Sequence, residues 1–215
     1  MSNLPRLRVP RVAESWDANA DPFTWAWEEA ATLPPLILAD GSKPALQQTI
    51  TRVCYNSQAF FVHFECADRD IWGTYTQRDE AIYDEEVVEV FLAPGETTPV
   101  DYYELEISPN GVLLDVLAHN PTGDRAQLHL DFGWDCPGLR SVAHRNDAQN
   151  QWQAVLALPW AAIGAPGTLP TLWRANFYRI ERPRNGDPEF SCWSPTMIDP
   201  ADFHRPAYFG YLELG

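Results

Sequence analysis

The sequence predicts an all-β fold, an antiparallel β-sandwich that forms a single domain over residues 1–215. Nineteen prolines and twelve glycines are spread along the chain and leave no room for long helices. Between them lie about ten short runs in which β-branched and aromatic residues alternate with polar ones, the pattern of half-buried strands. No internal repeat and no shift in composition marks a linker, so we expect one domain.

Tight turns join many of the predicted strands. Asn56-Ser57-Gln58 and Pro109-Asn110-Gly111 are turn sequences that connect neighbouring runs into hairpins. The one predicted helix is a single turn over residues 159–163, with a proline at its start and Gly164 at its end. The predicted strands span residues 47–55, 59–67, 87–92, 102–108, 112–118, 139–144, 151–158, 173–181, 190–194 and 208–214.

Two stretches are predicted to be irregular. Residues 1–45 contain frequent prolines, and we expect Trp16, Trp25 and Trp27 to pack this segment onto the sandwich. Residues 119–138 read as a polar loop.

Charge and hydropathy narrow the possible partners. The net charge of −15 predicts no nucleic-acid binding, because phosphate contacts need clustered Lys and Arg. It also disfavours anionic membrane surfaces, and no run of about 20 apolar residues could span a membrane. The N-terminal residues lack the apolar core of a secretory signal, so the expected location is cytoplasmic.

The cysteines show no metal-binding or redox spacing. We expect them to be reduced and mostly buried. They are Cys54, Cys66, Cys136 and Cys192.

The stretch over residues 70–92 is the strongest candidate for a binding site. Its first part is a polar loop, and binding residues are often found on loops. Its second part is a predicted strand in which Glu89 stands among strong strand formers. Aromatic and guanidinium side chains are concentrated in the loop: Trp72, Tyr75, Arg78 and Tyr83.

Acidic residues and histidines suggest two possible chemistries, glycoside hydrolysis and metal binding. Glu104 and Glu106 fall on one strand face, roughly 7 Å apart at their Cα atoms, and paired carboxylates are what glycoside hydrolases use. The scattered histidines give no spacing for haem or another metal. A structural calcium is an open alternative; its candidate loop oxygens belong to Asp68, Asp70, Asp84 and Glu85.

A third chemistry is carbohydrate binding. A sugar ring offers an apolar face that aromatic side chains cover and a rim of hydroxyls that carboxylates, amides and arginines bind. Tyr83 and Glu89 supply this mixture, and the predicted strand 173–181 adds Asn176, Tyr178 and Arg179. On the residues alone, the alternative is that these aromatics only cap the edges of the sandwich.

Three motifs resemble the family 9 carbohydrate-binding modules and, more closely, the stand-alone proteins called family 9-like. They are IYDEEVVEVF at residues 82–91, YELEI at residues 103–107, and an ending that runs from CWSP at residues 192–195 to FHRPAYFG at residues 203–210. Their order holds over roughly residues 40–214. The resemblance implies a β-sandwich of jelly-roll type.

The resemblance also implies a sugar site. In that family two tryptophans hold a sugar at a chain end, and the matching positions here are Tyr83 and Phe203. The family's sugar-binding glutamate matches Glu89. The family's amide-bearing strand matches residues 176–178, with Tyr178 where a glutamine is expected.

The family's sugar-binding arginine matches Glu106, a reversal of charge. Arg179 and Arg78 are our candidates to replace that cation. We therefore expect non-catalytic binding of a mono-, oligo- or polysaccharide end, without a cofactor and with micromolar to millimolar affinity. The alternatives are an intracellular interaction or small-ligand module without sugar affinity and, third, a hydrolase that uses Glu104 or Glu106.

Overall fold

The structure is a computed structural model that describes residues 4–16, 21–165 and 167–215. In this part of the chain, fourteen strands form two sheets, and six short 3-10 helices lie between strands. The strands are β1 (Arg6–Val9), β2 (Ala31–Thr32), β3 (Ile37–Leu38), β4 (Thr49–Tyr55), β5 (Ala59–Ala67), β6 (Val87–Pro94), β7 (Asp101–Ile107), β8 (Leu113–His119), β9 (His129–Asp131), β10 (Arg140–Asn146), β11 (Gln151–Pro159), β12 (Leu172–Glu181), β13 (Glu189–Cys192) and β14 (Gly210–Leu214). The 3-10 helices are Pro22–Thr24, Trp27–Glu29, Ile82–Asp84, Arg125–Gln127, Asp147–Gln149 and Pro206–Tyr208.

The two sheets differ in size. The larger has nine strands, with the order β1-β14-β12-β6-β7-β8-β9 and with β13 and β3 attached beside β12. The smaller has the order β10-β11-β5-β4-β2. Apart from the parallel pair β1–β14, the strand pairs within the described residues run antiparallel. The all-β sandwich that the sequence predicts is confirmed.

Strand alternation builds the core between the sheets. In β5, Val62 and Phe64 point inward, and they meet Val90 and Phe177 of the larger sheet in one apolar cluster. Each such side chain contributes about 1.5–3 kcal/mol when it is fully buried. The inward faces of the two sheets are therefore fixed relative to each other.

The larger sheet is buried on both faces. Seven of the eight residues of β6 are buried, although its alternating pattern predicts a strand exposed on one side. The reason is a cover on the outer face, where Phe203 and Phe209 belong to the same apolar cluster as Phe91. Polar residues of β6 that face outward, such as Glu89, therefore lie beneath this cover.

Three predictions about irregular and helical segments are wrong. Residues 1–45 contain β1, β2 and β3. Residues 119–138 contain β9 and a 3-10 helix. Residues 159–163 are the end of β11 followed by a turn, in which the Ala162 amide donates to the Pro159 carbonyl at 2.9 Å.

The three N-terminal tryptophans pack on the sandwich as predicted. Trp16 and Trp25 lie 5.7 and 5.0 Å from the Phe61 ring, between ring centroids. Trp27 is 5.1 Å from Trp16. They cover the outer face of the smaller sheet. Residues 1–3 and 17–20 of this segment lie outside the described residues.

The cysteines are reduced and buried, as predicted. Burial raises the pKa of each thiol. Across the described ranges, no helix is long and apolar enough to span a bilayer.

Candidate functional site

A cleft of about 380 Å³ opens on the outer face of the larger sheet. Its floor is formed by β6 and β7, and its walls come from the 3-10 helix Ile82–Asp84, from residues 125–132 and from residues 201–204. The lining side chains are Tyr83, Asp84, Glu89, Phe91, Glu104, Glu106, Arg125, Leu130, Phe132, Ile180, Arg182, Phe190, Ala201, Asp202, Phe203 and His204.

Three glutamates lie together on the cleft floor. Glu89 of β6 is directly opposite Glu106 of β7 in the strand register, and Glu104 shares the face of Glu106 because side chains two apart point the same way. Their exposed fractions are only 2%, 4% and 1% for Glu89, Glu104 and Glu106. One carboxylate oxygen of each lies within 4.8 Å of the others.

The electrostatics of this cluster favour bound protons. Burial, and then the charge of Glu104, raise the pKa of Glu89 well above 4.5. Burial, and then the charges of Glu89 and Glu104, do the same to Glu106. Glu104 Oε2 and Glu106 Oε2 are buried without a hydrogen-bond partner. The floor can therefore both donate and accept hydrogen bonds.

Tyr83 and Phe203 are among the aromatic side chains that line the same cleft. The Tyr83 side chain is among the exposed large hydrophobic residues, at 36%. Phe203 is 8% exposed and stacks on Tyr178, with the ring centroids 4.2 Å apart and the rings inclined by 19°. The structure thus brings together Tyr83, Glu89 and Phe203, three of the predicted site residues.

The predicted rim residues Asn176 and Tyr178 lie behind the cleft. Both have an exposed fraction of 0%. The Asn176 amide donates to the Ser194 carbonyl and accepts from the Ser194 amide, at 2.7 and 2.9 Å. The Tyr178 hydroxyl donates to the Phe203 carbonyl at 3.0 Å. These two side chains hold the covering segment on the sheet and do not line the cleft.

Arg179 does not reach the cleft, contrary to our expectation. Successive strand residues point to opposite faces, so Arg179 points inward where Tyr178 points outward. There it is fully buried and pairs with Asp68 at 3.1 Å and Glu86 at 3.7 Å. It also donates to the Ala67 carbonyl at 2.7 Å.

Arg78, the other candidate for the missing cation, is also engaged elsewhere. It pairs with the buried carboxylate of Asp115 and with Asp135. Asp115 lies on the inner side of β8, where its carboxylate also accepts from the Cys136 amide at 2.5 Å.

The four loop carboxylates considered for calcium are not gathered at one place among the described residues. Asp70 pairs with Arg184, while Glu85 accepts from the Thr74 amide at 2.7 Å. Asp68 pairs with Arg179. A structural calcium stays an untested prediction.

Several wall residues of the cleft were not predicted from the sequence. Arg125 pairs with Asp202 at 3.0 Å, which links two loops far apart in the chain. His204 Nδ1 lies 2.9 Å from the Tyr102 hydroxyl, and its Nε2 lies 3.9 Å from Glu104 Oε2. These contacts depend on how the loops fold over the sheet, so no local sequence pattern predicts them.

Known proteins share this architecture. A carbohydrate-binding protein candidate from Bacteroides uniformis has 17% identity and a TM-score of 0.77, over 99% of this chain and 100% of that one. A family 9 carbohydrate-binding module from Caldicellulosiruptor kristjanssonii in complex with glucose has 14% identity and a TM-score of 0.64, over 98% and 96%. A family 9 carbohydrate-binding module from the same organism in complex with cellotriose has 14% identity and a TM-score of 0.63, over 98% of this chain and 93% of that one. At these identities the likeness concerns the fold.

Sequence comparison gives the family. An extracellular protein from Arthroderma benhamiae is 28% identical over 176 residues, which is 78% of this chain and 78% of that protein. Residues 41–214 match carbohydrate-binding family 9, a span that contains both the cleft and most of the two sheets. The chain belongs to carbohydrate-binding family 9.

Proposed function

We propose that the outer-face cleft binds a carbohydrate ring and that the protein does so without catalysis. The observation that carries this proposal is the meeting of Tyr83, Phe203 and a floor of glutamates in one cleft. The volume of about 380 Å³ is within the range of small-molecule sites. Family membership supports the proposal, as does the glucose complex of a family 9 module with the same fold.

The chemistry of a sugar suits the two kinds of side chain. Its C–H face packs on an aromatic ring such as Tyr83, which contributes about 0.5–1.5 kcal/mol beyond the buried area. Its hydroxyls exchange hydrogen bonds with carboxyl groups such as that of Glu89, and each bond contributes about 0.5–1.5 kcal/mol, or about 1.5–3 kcal/mol where the carboxyl group is charged. So few contacts give affinities between about micromolar and millimolar.

The absence of catalysis is part of the proposal. Glycoside hydrolysis needs one protonated and one ionised carboxyl group. Glu89 and Glu106 are directly opposite each other, and burial raises the pKa of both. That shared shift supports binding over acid–base catalysis by this pair.

Calorimetric titration tests the proposal. The wild type and Tyr83→Ala are titrated with D-glucose, D-galactose, D-xylose and cello-oligosaccharides, and Tyr211→Ala is the matched control. Tyr211 shares the outer face, since it is opposite Arg174 in the register, but it does not line the cleft. We expect binding that is weakened in Tyr83→Ala and kept in Tyr211→Ala. No heat with any sugar, or release of reducing ends from the oligosaccharides, would contradict the proposal.

A further inference from the structure

The described residues contain three clusters of acidic side chains, and two of them enclose an arginine. Arg179 lies among the first cluster, and Arg78 contacts every member of the second. In each of these two clusters, a guanidinium from the protein's own chain compensates the carboxylates. The clusters are Asp68 with Glu86 and Glu181, Asp79 with Asp115 and Asp135, and Glu89 with Glu104 and Glu106.

The third cluster, on the cleft floor, has no such cation. Within the described ranges, no arginine or lysine forms an ion pair with its glutamates. The arginines that line the cleft contact other wall residues instead: Arg125 pairs with Asp202 at 3.0 Å, and the Arg182 guanidinium lies 5.2 Å over the Phe190 ring. Of the three floor glutamates, only Glu104 forms a contact with His204, at 3.9 Å from its Nε2. Asp84, a further wall residue, adds negative charge close to Glu106.

The floor glutamates also have unused hydrogen-bonding capacity. Glu104 Oε2 and Glu106 Oε2 are buried and have no hydrogen-bond partner. The two residues are only 4% and 1% exposed. Polar groups buried to this extent are nearly always paired. These two oxygens lie in the lining of a cleft that opens to solvent, so a ligand can supply the missing donors.

We propose that the three glutamates accept the protonated amine of an amino sugar, such as a glucosamine unit at the end of a chitosan-type chain. This inference rests on the proposed function, since it names the sugar class of the same cleft. An ammonium group carries three N–H donors. At N–H···O distances near 2.8 Å and tetrahedral angles, its three acceptors lie about 4.6 Å apart. The floor oxygens lie within 4.8 Å of one another.

The aromatic walls favour an amino sugar over a bare metal ion. Tyr83 and Phe203 line the same cleft, and a sugar ring that places its amine on the floor gives them a C–H face to cover. A calcium ion prefers six to eight oxygen ligands and would leave the exposed Tyr83 ring uncovered. Calcium binding is therefore a competing outcome of the test.

The test compares ligands that differ in one group. Wild-type protein is titrated at about pH 6.5, where the 2-amino group of glucosamine is protonated. The ligands are D-glucosamine, N-acetyl-D-glucosamine, D-glucose and calcium chloride. Glu106→Gln and Glu104→Gln neutralise the floor with little change of shape. Glu96→Gln, an exposed glutamate outside the cleft, is the matched control. Circular dichroism confirms that each variant is folded.

We expect wild type and Glu96→Gln to bind glucosamine at least about tenfold more tightly than glucose or N-acetylglucosamine. In Glu106→Gln and Glu104→Gln, the ratio of the glucosamine affinity to the glucose affinity should fall towards one. A second readout uses wild type alone. Burial raises the pKa of Glu89 and Glu106, and a bound ammonium group would lower it again. Binding should therefore release protons, and the heat should change with the ionisation enthalpy of the buffer.

Several results would overturn the inference. Glucose bound as tightly as glucosamine would refute the amine preference and leave the proposed function standing. Calcium binding that Glu106→Gln abolishes and glucosamine does not displace would make the floor a metal site. If no sugar binds at all, the proposed function fails as well.

Discussion

Arg179 is buried among carboxylates, and its removal should destabilise the fold strongly. In Arg179→Met the side chain keeps a similar length and loses its charge. Asp68 and Glu86 then keep their places between the sheets with no compensating cation. The Ala67 carbonyl, 2.7 Å from Nη1, also loses its donor.

The size of the effect follows from that burial. Arg179, Asp68 and Glu86 have side-chain exposures of 0%. Removal of one member of such a buried pair typically costs about 3–5 kcal/mol, because an unpaired charge remains. Part of this cost is relieved by protonation of Glu86, whose pKa burial and Asp68 already raise to about 9. We therefore expect the free energy of unfolding to fall by about 3 kcal/mol.

Urea denaturation followed by tryptophan fluorescence measures this change. Arg184→Met is the matched control, because Arg184 pairs with Asp70 at the surface, with a side-chain exposure of 61%. Its loss should be much smaller, since solvent screens exposed pairs. If both variants lose the same stability, or if Arg179→Met loses none, the structural role assigned to Arg179 is wrong.

Three further predictions concern the cleft and its supports. The pKa of Glu106 is raised in the folded protein. Its contribution to stability is therefore fully present below about pH 4.5, the pKa of the unfolded chain, and is lost as the pH rises towards the pKa of the folded protein. Glu106→Gln should therefore flatten the fall of stability with pH, by up to about 1.4 kcal/mol per pH unit, and Glu96→Gln should not; equal slopes in denaturation curves would contradict this. Phe203→Ala should lower the free energy of unfolding by about 3 kcal/mol, because the ring is 8% exposed and stacks on Tyr178, as well as weaken sugar binding; unchanged thermal stability would refute that packing. Gly210→Ala would place a Cβ 2.5 Å from the Trp193 ring and 2.8 Å from the Pro5 carbonyl. It should therefore lower the free energy of unfolding by about 1–3 kcal/mol. Gly167→Ala, which has open space around its Cβ, should keep the wild-type melting temperature.

Most of the strands could be predicted because their residues alternate. The prediction of residues 59–67 matches β5, where Phe60, Val62 and Phe64 face the core. The predictions failed for β1, β2 and β3 because strands of two to four residues are too short to show a period. Their pairing partners lie far along the chain, as in the β1–β14 pair.

The candidate site could be predicted only in part. Tyr83, Glu89 and Phe203 line one cleft, and the same-face relation of Glu104 and Glu106 follows from strand alternation. That Glu89 joins them depends on the register between β6 and β7, which no single strand reveals. Arg179 is the instructive error, since alternation alone excludes it from the face of Tyr178.

Whether a sugar ring occupies the outer-face cleft can be measured by an NMR titration of ¹⁵N-labelled protein. D-Glucosamine and D-glucose are added in turn, and the amide shifts are mapped onto the fold. We expect saturable shifts at residues 82–84, in β6 and β7 beside the floor glutamates, and at residues 201–204. Shifts confined to another surface, or no shifts with either sugar, would contradict this expectation.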